Sequence, residues 1–94
     1  VTFMVDTGAS ITTLKRDVAF AGGVRDCEPA RMSTANGMVD VCVGTLSEIR
    51  IGAYVVSNAV VAANPNTDVN LLGMNVLGQF RISTENGVMR LSKR

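Results

Sequence analysis

The stretch FMVDTGAS, residues 3–10, decides how the rest of the chain is read. An apolar run stops at Asp6, and the small or hydroxyl-bearing residues Thr7, Gly8, Ala9 and Ser10 follow at once. A carboxylate carried out of an apolar strand is costly to bury unless hydrogen bonds, a partner or a proton compensate it. Two readings are open. In one, Asp6 closes the strand in a local turn, accepting backbone N–H bonds. In the other it is held there for chemistry. Gly8 suits the second, because glycine takes a positive φ and lets a backbone N–H come close to the carboxylate. Thr7 and Ser10 bring hydroxyls that can orient it, and Ala9 leaves room for a bound backbone.

One carboxylate without a metal or a histidine activates water poorly. Two carboxylates that share a proton do better: one takes a proton from water while the other donates to the substrate carbonyl. The chain has a single such turn, since Asp17, Asp26, Asp40 and Asp68 lack a following Thr-Gly or Ser-Gly. A pair must then come from two copies across a two-fold axis, which predicts a homodimer with its site on that axis. The composition agrees. Ninety-four residues make one small domain, read as spanning 1–94, yet 47% are hydrophobic and the mean hydropathy is +0.26. Surplus apolar surface on so small a domain points to an interface.

Composition also excludes function classes. The net charge is +1, and no basic face with interleaved aromatics is visible, so nucleic-acid binding has no electrostatic support. There is no histidine, which removes Ser–His and Cys–His catalysis. Cys27 and Cys42 have no CxxC spacing and no histidine partners, so no zinc site is expected. Both are read as free thiols, Cys42 in the core. No segment reaches the roughly 18 apolar residues of a membrane span. The chain starts at Val1 in mid-strand without Met, and is therefore read as an excerpt whose anchor or targeting signal would lie upstream.

The local signals are mostly those of strands. Residues 1–5 form a short apolar strand. Thr12 and Thr13 can cap a helix in which Leu14, Val18 and Ala21 fall at helical spacing, ended by Gly22 and Gly23. Val39, Val41 and Val43 then alternate with Met38, Asp40 and Cys42. Ile49 and Ile51 continue the pattern, and residues 54–63 form a longer, more buried strand. After the loop at Asn64-Pro65-Asn66, residues 70–73 are a buried piece, 74–80 one helical turn, and 80–92 a hairpin. MSTANGMVDV (32–41) and ISTENGVMRL (82–91) both set Asn-Gly between strand-like flanks, the strongest short hairpin signal. The sum is an all-β domain with one or two short helices.

VDTGAS after an apolar strand, followed some 65 residues later by NLLGMNVLGQF (70–80), resembles the retropepsin-like aspartic proteases. The closer likeness is to the bacterial branch that pairs a DTGA turn with a Leu-Leu-Gly-Met segment. The resemblance implies a retropepsin-like closed β fold, one Asp loop per chain, and a homodimeric endopeptidase without metal or cofactor. Asp6 would be the catalytic carboxylate. Thr7 would bond across the dimer axis to its counterpart, and Gly8 would bind substrate backbone. The hairpin around Thr34, Ala35, Asn36 and Gly37 falls at the family's flap, which closes over an extended peptide. Leu72 and Gly73 would pack behind the Asp6 loop, with Asn75 at the start of the short helix. Retroviral members carry Arg where Met74 stands, and acidic residues where Ser10 and Ile11 stand, so their ion-pair network is absent. The rival reading is a catalytically silent retropepsin-like module for dimerisation or peptide binding. Strand, Asp, x-Gly, x-Ser also resembles the first phosphate loop of sugar-kinase and actin-like ATPases, but those folds need a far longer chain and a second phosphate loop.

Overall fold

The computed structural model describes residues 3–34 and 37–94, and for Val88 and Met89 the backbone alone. Among the described residues, eight strands and two short helices follow one another. They are β1 (Phe3–Val5), β2 (Thr12–Lys15), α1 (Arg16–Ala21), β3 (Glu28–Thr34), β4 (Gly37–Ile51), β5 (Tyr54–Asn64), β6 (Asn70–Leu72), α2 (Met74–Leu77), β7 (Phe80–Glu85) and β8 (Val88–Lys93). Six strands form one sheet in the order β1-β6-β2-β5-β4-β3, and β7 pairs with β8 in a second. The all-β class expected from the sequence is the one observed.

One topological detail positions the site. β1 and β2 flank the Asp6 loop but do not pair with each other. β6 lies between them, parallel to β1 and antiparallel to β2, with Thr13 opposite Leu71. The loop from Asp6 to Ile11 therefore arches over the end of β6. β2 also pairs with β5 in parallel, which joins the loop to the longest ladder of the sheet, β4 with β5.

The expected helix cap at Thr12 and Thr13 is not formed. Both residues lie in β2, at 0% and 3% exposure, and Leu14 is a buried strand residue. The helix starts only at Arg16 and runs six residues, with Lys15 at its N-cap and no side-chain cap bond. β-branched threonines fit a pleated ladder better than a helix, and pairing on both sides outweighs a short helical period. The end was placed correctly: the Gly22 N–H donates to the Val18 carbonyl and Gly23 takes φ +101°.

The core joins Leu14, Val24, Val61, Val76 and Leu77, each at 1% exposure or less, with Leu46, Val56 and Phe80 around them. On β4 the alternation is partial: Val41 is buried while Met38 and Asp40 face solvent, but Val43 and Cys42 are both half-buried and Cys42 packs against the core. Cross-strand Arg31 and Asp40 meet at 3.3 Å and Arg50 reaches Glu48 at 2.6 Å. At such exposure these pairs contribute little. No helix among the described residues is long and apolar enough to cross a membrane.

In β7–β8, Asn86 (φ 52°) and Gly87 (φ 76°) both lie in the left-handed region between Glu85 and Val88, the two-residue turn that matches strand twist. In β3–β4, Thr34 pairs with Gly37 (φ 104°). Gly37 is thus a ladder residue, and Ala35 and Asn36 lie outside the described residues.

The two cysteines are not free. Cys27 and Cys42 form a disulfide, with Cα atoms 5.3 Å apart, a separation such bonds require. Their distance in sequence concealed this. β3 folds back along β4 with Pro29 opposite Cys42, which brings Cys27 alongside. Cys42 is half-buried at the margin of the core.

Candidate functional site: the Asp6 loop and its cleft

Asp6 sits one residue beyond β1, half-buried. The carboxylate oxygen Oδ1 accepts the Gly8 N–H at 3.0 Å, and its main-chain oxygen accepts the Ala9 N–H at 3.2 Å. The second carboxylate oxygen has no hydrogen-bond partner among the described residues. Gly8 does not take the positive φ expected of it. Its role is room: a Cβ there would lie 3.3 Å from Oδ1, against the carboxylate that its N–H holds.

The late motif carries the loop from below. The Asp6 N–H donates to the Leu72 carbonyl at 3.0 Å. The Met74 N–H donates to the Ala9 carbonyl at 2.7 Å, and the Asn75 N–H to the Ser10 carbonyl at 3.2 Å. Gly73 is buried so close to the arch that a Cβ would stand 2.5 Å from both the carbonyl carbon and oxygen of Ile11. Leu72, Gly73 and Asn75 thus adjoin the Asp6 loop through main-chain bonds and close packing.

Thr12 completes this support, and sequence reasoning missed it. Its hydroxyl donates to Asn75 Oδ1 at 2.9 Å and accepts the Gly73 N–H at 3.1 Å. Its own N–H donates to the same Asn75 oxygen at 2.8 Å. Asn75 Nδ2 reaches across to the Val60 carbonyl at 2.7 Å. One asparagine amide therefore ties the loop, the late motif and β5 together. We expect Thr12→Val, which keeps the shape and removes the hydroxyl, to destabilise the domain by about 1–3 kcal/mol, the cost of a buried N–H left unpaired. A urea midpoint within error of wild type would show that the hydroxyl carries no load.

Asp6 opens onto a cleft of about 510 Å³ and is the one charged group among its described lining residues. Gly8, Ala9 and Ser10 form one side; Ser33 and Thr34 come from the β3–β4 hairpin opposite. Met32, Val39 and Leu71 give apolar wall, and Asn64 and Thr67 a neutral polar rim. Thr34 Oγ1 donates to the Gly37 carbonyl at 2.8 Å, tying the two sides of the hairpin's end. Gly37 is not among the cleft residues, and Ala35 and Asn36 lie outside the described residues. Thr7 is exposed on the loop.

The site is thus a single carboxylate on a braced arch, facing a cleft whose other described lining residues are uncharged. The model of the family described as "gag-polyprotein putative aspartyl protease" matches residues 1–79. Among solved structures, the crystal structure of a retropepsin-like aspartic protease from Rickettsia conorii is similar, with a TM-score of 0.78 and 31% sequence identity. The match covers 95% of this chain and 70% of that one. The chain belongs to the retropepsin-like aspartic protease family. No protein of curated function matches it in sequence.

Proposed function

We propose that the chain is an aspartic endopeptidase that works as a homodimer, with Asp6 and its symmetry mate as the catalytic pair. The observation that carries this reading is the position of Asp6: its carboxylate is oriented through one oxygen by Gly8, supported from β6, and set in a cleft with no other charge among the described lining residues. A lone carboxylate in such a place has no partner with which to share a proton. A two-fold axis beside the loop supplies one.

In that dimer the ionised carboxylate takes a proton from water, and the resulting hydroxide attacks the peptide carbonyl carbon. The protonated carboxylate donates to the carbonyl oxygen, giving a neutral tetrahedral diol. Collapse returns a proton to the departing nitrogen, breaks the C–N bond and restores the pair. In this reading Thr7, exposed beside Asp6, bonds with the partner's copy and holds the two loops level. The substrate lies extended between the Asp6 loop and the β3–β4 hairpin, which acts as the flap. Its main chain pairs with the hairpin edge and its side chains alternate into the apolar walls.

The test is cleavage of a mixed peptide library across about pH 4 to 7. Wild type should cleave, and sedimentation should show a dimer. A folded dimer that cuts no peptide would overturn the reading in favour of a silent peptide-binding module.

A further inference from the structure

The proposed chemistry makes no use of the Cys27–Cys42 disulfide, yet the bond stands at the root of the hairpin that walls the cleft. β3 is the last strand of its sheet and has β4 as its one strand neighbour. All seven of its residues are exposed or half-buried, so burial gives β3 little hold. Beyond a weak contact of the Thr13 hydroxyl with Met32 Sδ at 4.0 Å, what fixes it is the ladder from Glu28 opposite Val43 to Thr34 opposite Gly37, and the covalent bond just before that ladder begins. Met32, Ser33 and Thr34 of β3 and Val39 of β4 all line the cleft. Gly44 is shaped for the bond. A Cβ on it would stand 3.1 Å from Cys27 Cβ and 2.8 Å from Val24 Cγ1, so its bare backbone lets Cys27 lie against β4. Both cysteines are half-buried.

We infer that Cys27–Cys42 is a redox-sensitive brace of the substrate cleft: intact, it holds β3 in place as the cleft wall, and its reduction frees that wall. The activity side of this inference rests on the protease reading above. The chemistry is ordinary thiol–disulfide exchange. A dithiol thiolate attacks one sulfur and the S–S bond breaks, leaving a mixed disulfide, which the second thiol of the reagent resolves. Two electrons pass to the protein, both cysteines end as thiols, and the reagent becomes a cyclic disulfide. Such bonds persist in oxidising compartments and are lost in the cytosol. The braced cleft is therefore the form of an oxidising compartment.

The experiment compares wild type, with and without dithiothreitol, and a Cys27→Ser/Cys42→Ser variant. Amide hydrogen exchange, melting temperature and peptide cleavage are read in each. Reduction should speed exchange in β3 and its partners on β4 by about tenfold or more beyond whatever rise the lowered stability produces in β5 and β6. It should lower the melting temperature by about 10 °C or more, as expected for a cross-link that closes a loop of this length. The Michaelis constant should rise about tenfold with kcat nearly unchanged, because the wall binds substrate and does no chemistry. The double variant should match reduced wild type and ignore the reagent. If that variant does not fold, the two states of wild type decide alone. Equal exchange in both states would overturn the inference, and so would a uniform rise across the domain, which marks a general staple. Absence of cleavage in either state would count against the protease reading, while exchange would still decide the brace.

Discussion

Asp6→Asn is expected to abolish peptide cleavage, lowering kcat/KM by at least about a thousandfold, within the range a positioned acid–base group supplies. The amide keeps the size of the carboxylate and one oxygen, so the Gly8 N–H that now bonds Oδ1 at 3.0 Å still finds an acceptor. The loop should keep its shape and the melting temperature should hold. What is lost is the ability to take a proton from water. The stronger form of the test mixes chains. If each site uses one Asp6 from each of two copies, equal co-expression of wild type and Asp6→Asn leaves about a quarter of the dimers with both carboxylates, by random pairing. A catalyst complete within one chain would keep about half the activity per total protein. Cleavage that survives in the pure variant would end the assignment of Asp6, whereas half activity in the mixture would end the shared pair alone.

The fold was legible where local chemistry and tertiary demand coincide. Asn86-Gly87 takes the backbone its two residues prefer, so the β7–β8 hairpin could be placed from sequence. β4 carried a period of two over residues 38–43 and β5 a long apolar run, and both were read as strands. The reading failed at Thr12 and Thr13, where a capping preference and a helical spacing were outweighed by pairing with strands some 50 to 60 residues away. Nothing near Thr12 announces Asn75 as its partner. The disulfide was hidden for the same reason, because the register of β3 on β4, and not the spacing of the cysteines, brings Cys27 to Cys42. In the site, Asp6 and the late Leu-Leu-Gly segment stood out as motifs. The cleft residues Thr13, Met32, Asn64 and Thr67 have no motif and become neighbours only when the sheet forms. Catalytic chemistry is written in a few adjacent residues, while the surface that meets a substrate is gathered from all over the chain.

Gly73→Ala should be the most damaging single methyl in the domain. The added carbon would stand 2.5 Å from Ile11 C and O and 2.8 Å from Thr12 N, all main-chain atoms that cannot turn aside as a side chain would. Relief requires β6 to move away from the arch, and the bonds that carry the arch run through that same place. They are Asp6 N–H to Leu72 O, Met74 N–H to Ala9 O and Gly73 N–H to Thr12 Oγ1. We expect a loss of about 3 kcal/mol or more, at the upper end for overpacking. For a chain of this length that is a fall in melting temperature of at least about 12 °C. Gly23→Ala is the control: a Cβ there meets nothing within 4 Å, and the strain of its φ of +101° is its whole penalty, about 1 kcal/mol. Any Gly73→Ala protein that stays folded should still cleave far less than its stability alone predicts, because the displaced arch moves Asp6. Equal losses in the two variants would mean that the late motif is ordinary core. A large loss at Gly73 with weak cleavage by the folded fraction would tie the buried glycine to the position of the carboxylate.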